Sequence, residues 1–221
     1  IQSWTKLFTD ANPNAQVQYD PQGSGAGRQA FQQGGVQFAG SDSAFKTADI
    51  AAGGFAACAK GSDIVEIPAY VSPIAIVFTL KGIDSLNLDP KTIAGIFAGT
   101  ITNWNDPAIA ATNPKATLPD ETISPVHRSD KSGTTANFTD YLAQTAPDAW
   151  TAGSVDTWPA ELGGEAAEKT SGVVKAVQGG EGLIGYIDSS QAKGFSSVKV
   201  KVGSDWVEHS AAGASATLDA S

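Results

Sequence analysis

Three loops rich in glycine, serine or threonine share one layout along the chain. They cover residues 23–27, 40–42 and 128–134, and each lies between an apolar run and a helix-like pattern. Strands that alternate with helices in this way predict an α/β fold, with mixed, mostly parallel sheets flanked by helices. Because ligands in such folds collect at the carboxyl ends of strands, we expect the three loops to converge on one small ligand.

The apolar runs and the helical spacings predict regular elements over most of the chain. Strands are expected at residues 17–19, 36–39, 64–70, 73–80, 123–126, 183–187 and 198–202. Helices are expected at residues 4–8, around residues 30–31, and at residues 90–97, 134–143 and 172–177. From residue 211 onward the sequence is rich in alanine, serine and glycine, which is typical of a mobile tail.

Composition narrows the class of protein. The 221 residues are 41% hydrophobic and 17% charged, which fits a soluble globular protein of one large or two small domains. A net charge of −9 gives no indication of nucleic-acid binding. No apolar stretch approaches the roughly 20 residues of a membrane span. The single cysteine, Cys58, excludes an internal disulfide and a cysteine-based zinc site, and we expect neither a metal nor a cofactor.

The third loop has the composition of an oxyanion site. Ser132, Gly133 and Thr134 open the predicted helix, where hydroxyls and free N–H groups meet a partial positive charge. Arg128 adds a planar fork of donors that matches phosphate or carboxylate. Asp130 either forms a surface ion pair with Arg128 that contributes little, or orients the arginine toward the ligand.

The first loop is a weaker signal. Its glycines, Gly23 and Gly25 among them, either serve a tight turn or let Ser24 approach the ligand as a donor. The spacing matches neither a dinucleotide fingerprint nor a phosphate-binding loop of nucleotide hydrolases. Arg28, just after this loop, either reaches the ligand or, as the favoured interpretation, is a solvated arginine on the helix face. His127 is predicted to be a structural histidine at the end of a strand.

The second loop raises a question of charge. Ser41 and Asp42 are common helix caps, and that interpretation stays open. In a binding site, a carboxylate repels an anion unless a proton lies between them. Phosphate still carries a proton at neutral pH and sulfate does not, so Asp42 would accept the ligand's proton and discriminate between the two.

One motif points to another class of protein. The five residues from Asp130 to Thr134 differ by one from the Asp-Lys-Thr-Gly-Thr motif of P-type cation ATPases, in which the aspartate accepts a phosphoryl group. A phosphotransferase that uses Asp130 is therefore a remote alternative. Those enzymes also need membrane helices and a second acidic motif, which the sequence does not display.

Taken together, the motifs resemble those of the phosphate-binding proteins of bacterial phosphate ABC importers. The matching segments occur in family order: residues 22–27, 40–42, 93–114, 127–135, 141–142 and 182–186. The resemblance implies a two-lobed type II periplasmic-binding-protein fold that closes on inorganic phosphate. It implies a monomeric binder, not an enzyme, which acts outside the cytoplasmic membrane and delivers phosphate to an ABC permease. A binder of another oxyanion, or a secreted phosphate scavenger, remains an alternative.

The resemblance also implies a role for each loop. Ser24, supported by Gly23, Gly25 and Ser41, would donate from the first lobe, and Asp42 would accept the phosphate proton. Arg128, held by Asp130, would be the cationic ligand, and Ser132, Gly133 and Thr134 would donate from the second lobe.

The same family pattern suggests a division of the chain. Residues 1–70 would form a partial first lobe, residues 71–207 the second lobe, and residues 208–221 the start of a return segment or a mobile tail. We expect the first lobe to be incomplete, because the family has a further N-terminal strand and a long C-terminal return. A lipid anchor outside this sequence is one option.

Overall fold

The computed structural model describes residues 1–219, and a single sheet organises most of them. The helices are α1 (Gln2–Ala11), α2 (Ser24–Gln32), α3 (Thr47–Ala52), α4 (Pro90–Phe97), α5 (Pro107–Thr112), α6 (Gly133–Thr145), α7 (Lys169–Gly179) and α8 (Ala211–Asp219), with a 3-10 turn at Ser189–Gln191. The strands are β1 (Ile74–Phe78), β2 (Ser85–Leu88), β3 (Ser124–Arg128), β4 (Glu165–Ala167), β5 (Leu183–Asp188), β6 (Ser196–Val202) and β7 (Asp205–Val207).

The strand order confirms a mixed sheet flanked by helices. It runs β2-β6-β1-β5-β3-β4, and β7 also pairs with β6. Three pairings are parallel, β2–β6, β3–β4 and β3–β5. The other three are antiparallel, because β1 runs opposite to β5 and β6, and β7 folds back on β6. The sheet is thus half parallel, a smaller share than the sequence pattern predicted.

Both faces of the sheet are covered, which explains the nearly continuous apolar runs in its central strands. Successive side chains point to opposite faces, so Ile76 and Phe78 of β1 join one core cluster while Ala75 and Val77 join the other. Helices α4 and α6 pack on the first face, and α7 packs on the second.

The residues before β1, called the N-terminal region (residues 1–70), contain helices but no strand. The strands expected at residues 17–19, 36–39 and 64–70 are therefore wrong. A strand satisfies its N–H and C=O groups through a neighbouring strand, and these segments pair with none in the described chain. Within residues 1–219, all seven strands lie in residues 71–207, called the sheet region. The division into two lobes at residue 70 stays a prediction.

Local signals set several helix boundaries as expected. Asp89 caps α4 by accepting a hydrogen bond from the N–H of Thr92 at 2.8 Å, and Pro90 occupies the first turn. The C-terminal segment forms α8 up to the last described residue, and its mobility stays a prediction; residues 220–221 lie outside the described part. Among the helices up to residue 219, none is long and apolar enough to span a membrane.

Candidate functional site

Arg128 lies at the carboxyl end of β3, between β4 and β5. Its parallel neighbours place it at the sheet edge where ligands collect in α/β folds. The residue is 4% exposed, and its backbone N–H donates to the Tyr186 hydroxyl at 3.2 Å. Burial raises the pKa of that hydroxyl, so Tyr186 stays protonated and shares a second hydrogen bond with Thr135 at 2.7 Å. The arginine is thus fixed from the core side.

Asp130 holds the guanidinium of Arg128 from the other side. Nε and Nη2 of Arg128 donate to the two carboxylate oxygens of Asp130 at 2.7 and 2.5 Å. The N–H of Lys169, at the start of α7, donates to Oδ1 at 3.0 Å. Burial by itself raises the pKa of Asp130, but the hydrogen bonds from Arg128 and Lys169 outweigh it, so the pKa lies below its ordinary value. The pair is bidentate and partly buried, which supports an orienting role for Asp130.

The start of α6 supplies donors beside Arg128, at the helix boundary that the sequence indicated. Ser132 is the N-cap, and its Oγ accepts from the N–H of Thr135 at 3.2 Å. The N–H groups of Gly133 and Thr134 lie in the first turn, where a helix offers no acceptor. All four residues are buried. This helix end can therefore donate to an anion in a sheltered position.

The first loop of the N-terminal region packs directly against these residues. Gly23 caps α2 with a φ of +87°, and a Cβ there would lie 2.7 Å from an Asp130 oxygen. Gly25 donates its N–H to the carbonyl of Lys131 at 3.0 Å. Ser24 is buried and opens α2. Glycine is needed at Gly23 for its backbone conformation and at both glycines for close approach.

Asp42 reaches across to the same helix end. Its Oδ2 accepts from the Thr134 hydroxyl at 3.1 Å, and its carbonyl accepts from the Asn137 amide at 2.7 Å. The Ser24 hydroxyl accepts from the N–H of Asp42 at 3.1 Å. Asp42 thus caps no helix and instead contacts α6 from the N-terminal region.

The structure brings together every site residue that the sequence indicated. Ser41 joins them through Arg28, whose guanidinium donates to the Ser41 hydroxyl at 2.9 Å. The expectation of a solvated Arg28 is wrong, because the residue is 9% exposed and its guanidinium is enclosed by hydrogen-bond acceptors. The position of Arg28 directly after the glycine-rich loop was the one sequence feature that could have indicated a place at the site. The site also contains three residues that no pattern in the sequence indicated. Asn137 donates to the carbonyl of Asp42, Thr170 accepts from Nη1 of Arg128 at 3.4 Å, and Asp156 accepts from Nη2 of Arg28 at 3.1 Å.

His127 has the structural role expected of it. Its ring stacks on Trp158 with centroids 4.7 Å apart, and Nδ1–H donates to the carbonyl of Arg128 at 3.0 Å. Burial lowers the pKa of His127, and the bond to the carbonyl offsets this only in part. Within residues 1–219, no cluster of three or more histidine, cysteine or acidic residues is arranged to hold a metal ion.

Comparison with known proteins assigns the chain to a family. The model of the PBP superfamily domain matches residues 1–220. The chain belongs to this superfamily. It is 38% identical over 204 residues to the phosphate-binding protein PstS 3 of Mycobacterium leprae, covering 91% of this chain and 54% of the relative. It is 40% identical over 194 residues to the phosphate-binding protein PstS2 of Mycobacterium bovis, covering 88% and 52%.

Solved structures agree with this assignment. A high-affinity periplasmic phosphate-binding protein, PfluDING, solved with bound phosphate, superposes with a TM-score of 0.75 at 25% identity, covering 93% of this chain and 62% of that one. A phosphate ABC transporter substrate-binding protein from Clostridium perfringens shares the fold, with a TM-score of 0.68 at 23% identity, over 90% of this chain and 70% of that one. The chain spans about half the length of the curated relatives it matches.

Proposed function

We propose that this member of the PBP superfamily binds inorganic phosphate outside the cytoplasmic membrane and delivers it to an ABC permease. The observation that carries the proposal is the meeting of three anion-recognising features. These are the oriented guanidinium of Arg128, the donors at the start of α6, and the carboxylate of Asp42. The matched relatives are named as phosphate-binding proteins, which supports the same ligand.

The charges favour phosphate over a fully ionised anion. Arg128 contributes one positive charge, which Asp130 balances, and Asp42 adds a negative charge nearby. An anion without a proton would meet a repelling carboxylate at Asp42. Phosphate retains a proton at neutral pH and can donate it to Asp42, while neutral donors at α6 receive its other oxygens. The site therefore selects an anion that is both acceptor and donor.

The arrangement supports binding and argues against transfer of a phosphoryl group to Asp130. Both carboxylate oxygens of Asp130 accept hydrogen bonds from Arg128. A nucleophilic aspartate needs a free oxygen that faces the reacting phosphorus. We therefore propose a binder, and Asp130 as a positioning residue.

Isothermal titration with phosphate tests the proposal. Arg128→Ala is expected to weaken phosphate binding by about 100-fold or more, because it removes the cation and leaves Asp130 unpaired. Lys115→Ala, which removes the same charge from an exposed position, is the matched control. An unchanged affinity in Arg128→Ala would contradict the site.

Competition and uptake experiments separate the alternatives. Sulfate, molybdate and arsenate are titrated against bound phosphate, and a tighter complex with sulfate or molybdate would identify a binder of another oxyanion. Phosphate uptake is then measured in cells that lack the protein and in cells that regain it. Restored uptake supports delivery to a permease, whereas unchanged uptake would favour a scavenger.

A further inference from the structure

Both arginines of the chain, Arg28 and Arg128, lie at this site. Arg128 pairs with Asp130 inside the sheet region, whereas Arg28 belongs to α2 of the N-terminal region. The contacts of Arg28 differ in kind, because they link two separate parts of the chain.

The guanidinium of Arg28 organises the loop that carries Asp42. Its Nη1 donates to the hydroxyls of Ser41 and Ser43 at 2.9 and 2.6 Å, and to the carbonyl of Ser43 at 3.1 Å. These acceptors flank Asp42 on both sides. Arg28 therefore fixes the loop on which the carboxylate of Asp42 stands, without touching that carboxylate.

The remaining contact of the guanidinium crosses to the sheet region. Nη2 of Arg28 lies 3.1 Å from Oδ2 of Asp156, 128 residues further along the chain. The carbonyl of Asp156 accepts from the N–H of Ser132, the N-cap of α6, at 2.7 Å. Asp156 is thus tied to the helix end that would receive the anion. Lys131 is its second cation, at 3.6 Å and more exposed.

The Arg28–Asp156 pair is largely shielded from solvent, so its charges interact more strongly than those of an exposed pair. The side chains are 11% and 19% exposed, compared with 59% for Lys131. Removing one partner of a shielded charge pair leaves the other without compensation and speeds dissociation. Of the hydrogen bonds of Arg28, those to Ser41 and Ser43 lie within the N-terminal region and only that to Asp156 crosses to the sheet region, so a separation of the two regions would break that one alone.

We propose that Arg28 is a positioning residue that holds the Asp42 loop and, through Asp156, latches the N-terminal region onto the start of α6 while phosphate is bound. This inference rests on the proposed function. Neither Arg28 nor Asp156 is a ligand of phosphate. The pair sets how long the closed state lasts, and it leaves the choice between phosphate and sulfate to Asp42.

Stopped-flow kinetics of phosphate binding to the full-length protein test the latch. Asp156→Asn is expected to raise the dissociation rate constant about tenfold, because only the closed state contains the pair. The association rate constant should change by no more than about twofold, since encounter precedes closure. The phosphate-to-sulfate affinity ratio should stay unchanged. Lys131→Gln, which removes the exposed cation beside Asp156, is the control and should leave dissociation nearly as in the wild type.

A double variant shows whether the two side chains act together. Arg28→Gln with Asp156→Asn should dissociate no faster than the faster single variant, because the pair can be broken only once. Arg28→Lys should recover part of the loss. If Arg28→Gln fails to fold, Asp156→Asn and Lys131→Gln decide the matter alone.

The outcomes separate the two proposals. A wild type that binds phosphate together with an unchanged dissociation rate in Asp156→Asn would overturn the latch alone. Independent, multiplying effects in the double variant would also overturn it, as would a slowed association with unchanged dissociation. A wild type that binds no phosphate would overturn both the latch and the proposed function.

Discussion

The N-terminal region and the sheet region share one sequence pattern, yet they fold differently. Both contain apolar runs followed by glycine- or serine-bearing loops and helices. In the sheet region the runs become paired strands with a core on each face. In residues 1–70 no strand forms, and the buried residues are Ser24, Gly25 and Arg28 alone. The difference shows that an apolar run becomes a strand only where a neighbouring strand receives it.

Exposure marks the contrast most clearly. Large apolar side chains of the N-terminal region face solvent: Leu7 is 68% exposed, Val65 80% and Ile67 79%. In the sheet region Ile93 and Trp104 are fully buried. All three buried residues of the N-terminal region contact the sheet region: Ser24 lies against Gly133, Gly25 donates to Lys131, and Arg28 pairs with Asp156. The region is therefore ordered at the site by the sheet region, and not by a core of its own.

The largest effect is expected on the free energy of unfolding, which should depend on the core of the sheet region and little on the N-terminal region. Trp104 packs against Phe78 and donates its indole N–H to the carbonyl of Gly182 at 3.1 Å. Trp104→Ala is expected to lower the free energy of unfolding by about 3–5 kcal/mol, through the cavity it leaves. Phe8→Ala, at a half-exposed position of α1, should change it by no more than about 0.5 kcal/mol. Urea unfolding measures both; equal losses would show a real core in the N-terminal region.

The next test forces the two regions apart. A Cβ on Gly133 would lie 2.6 Å from the Ser24 hydroxyl and 2.9 Å from the Asp42 Cβ. Gly133→Ala should therefore weaken phosphate binding by about 10- to 100-fold, the equivalent of 1–3 kcal/mol of overpacking. Gly179→Ala is the control, because a Cβ on that helical glycine meets nothing within 4 Å. Calorimetry with unchanged affinity in Gly133→Ala would mean that binding does not require this contact.

A smaller effect is expected on the selectivity for phosphate over sulfate, which we assign to Asp42 of the N-terminal region. Asp42→Asn cannot accept a proton from the ligand as a carboxylate does, so the preference for phosphate over sulfate should fall by at least about tenfold. Asp49→Asn makes the same change at an exposed position of α3. The ratio of the two dissociation constants is the measurement. An unchanged ratio in Asp42→Asn would show that Asp42 of the N-terminal region does not discriminate between phosphate and sulfate.

The smallest effect concerns pH and lies within the sheet region. The pKa of Asp130 is lowered in the folded protein, so its ionised form stabilises the fold above the ordinary carboxyl pKa near 3.8. That contribution is lost as the pH falls through the folded pKa. The stability difference between the wild type and Asp130→Asn should therefore shrink as the solution is acidified. Urea titrations at several pH values measure it; a difference that grows on acidification would contradict the assignment.

Repeating the pH test in the Gly133→Ala protein shows whether the N-terminal region influences the Asp130 ion pair. Both partners of Asp130, Arg128 and Lys169, belong to the sheet region. The same pH dependence is therefore expected in Gly133→Ala, where the N-terminal region is displaced. A pH dependence that disappears there would show that the N-terminal region maintains the ion pair.

Local sequence signals predicted the sheet-region half of the site well. Ser132 caps α6 and Arg128 ends β3, both where a strand, loop and helix were expected. Short strands without a strong pattern escaped prediction, namely β2, β4 and β7. The three strands predicted in residues 1–70 were wrong, because periodicity records which side chains are apolar and not whether a partner strand exists.

The sequence by itself determined the chemistry of each loop: the fork of Arg128, the donors at the start of α6, and the carboxylate of Asp42. Only the tertiary structure decided which of them meet. The contact of Asp42 with Thr134 joins residues 92 apart, and that of Arg28 with Asp156 joins residues 128 apart. Capping and helix polarity act over a few residues and can be read locally. Contacts between distant segments depend on the packing of the whole sheet, which no short stretch of sequence encodes.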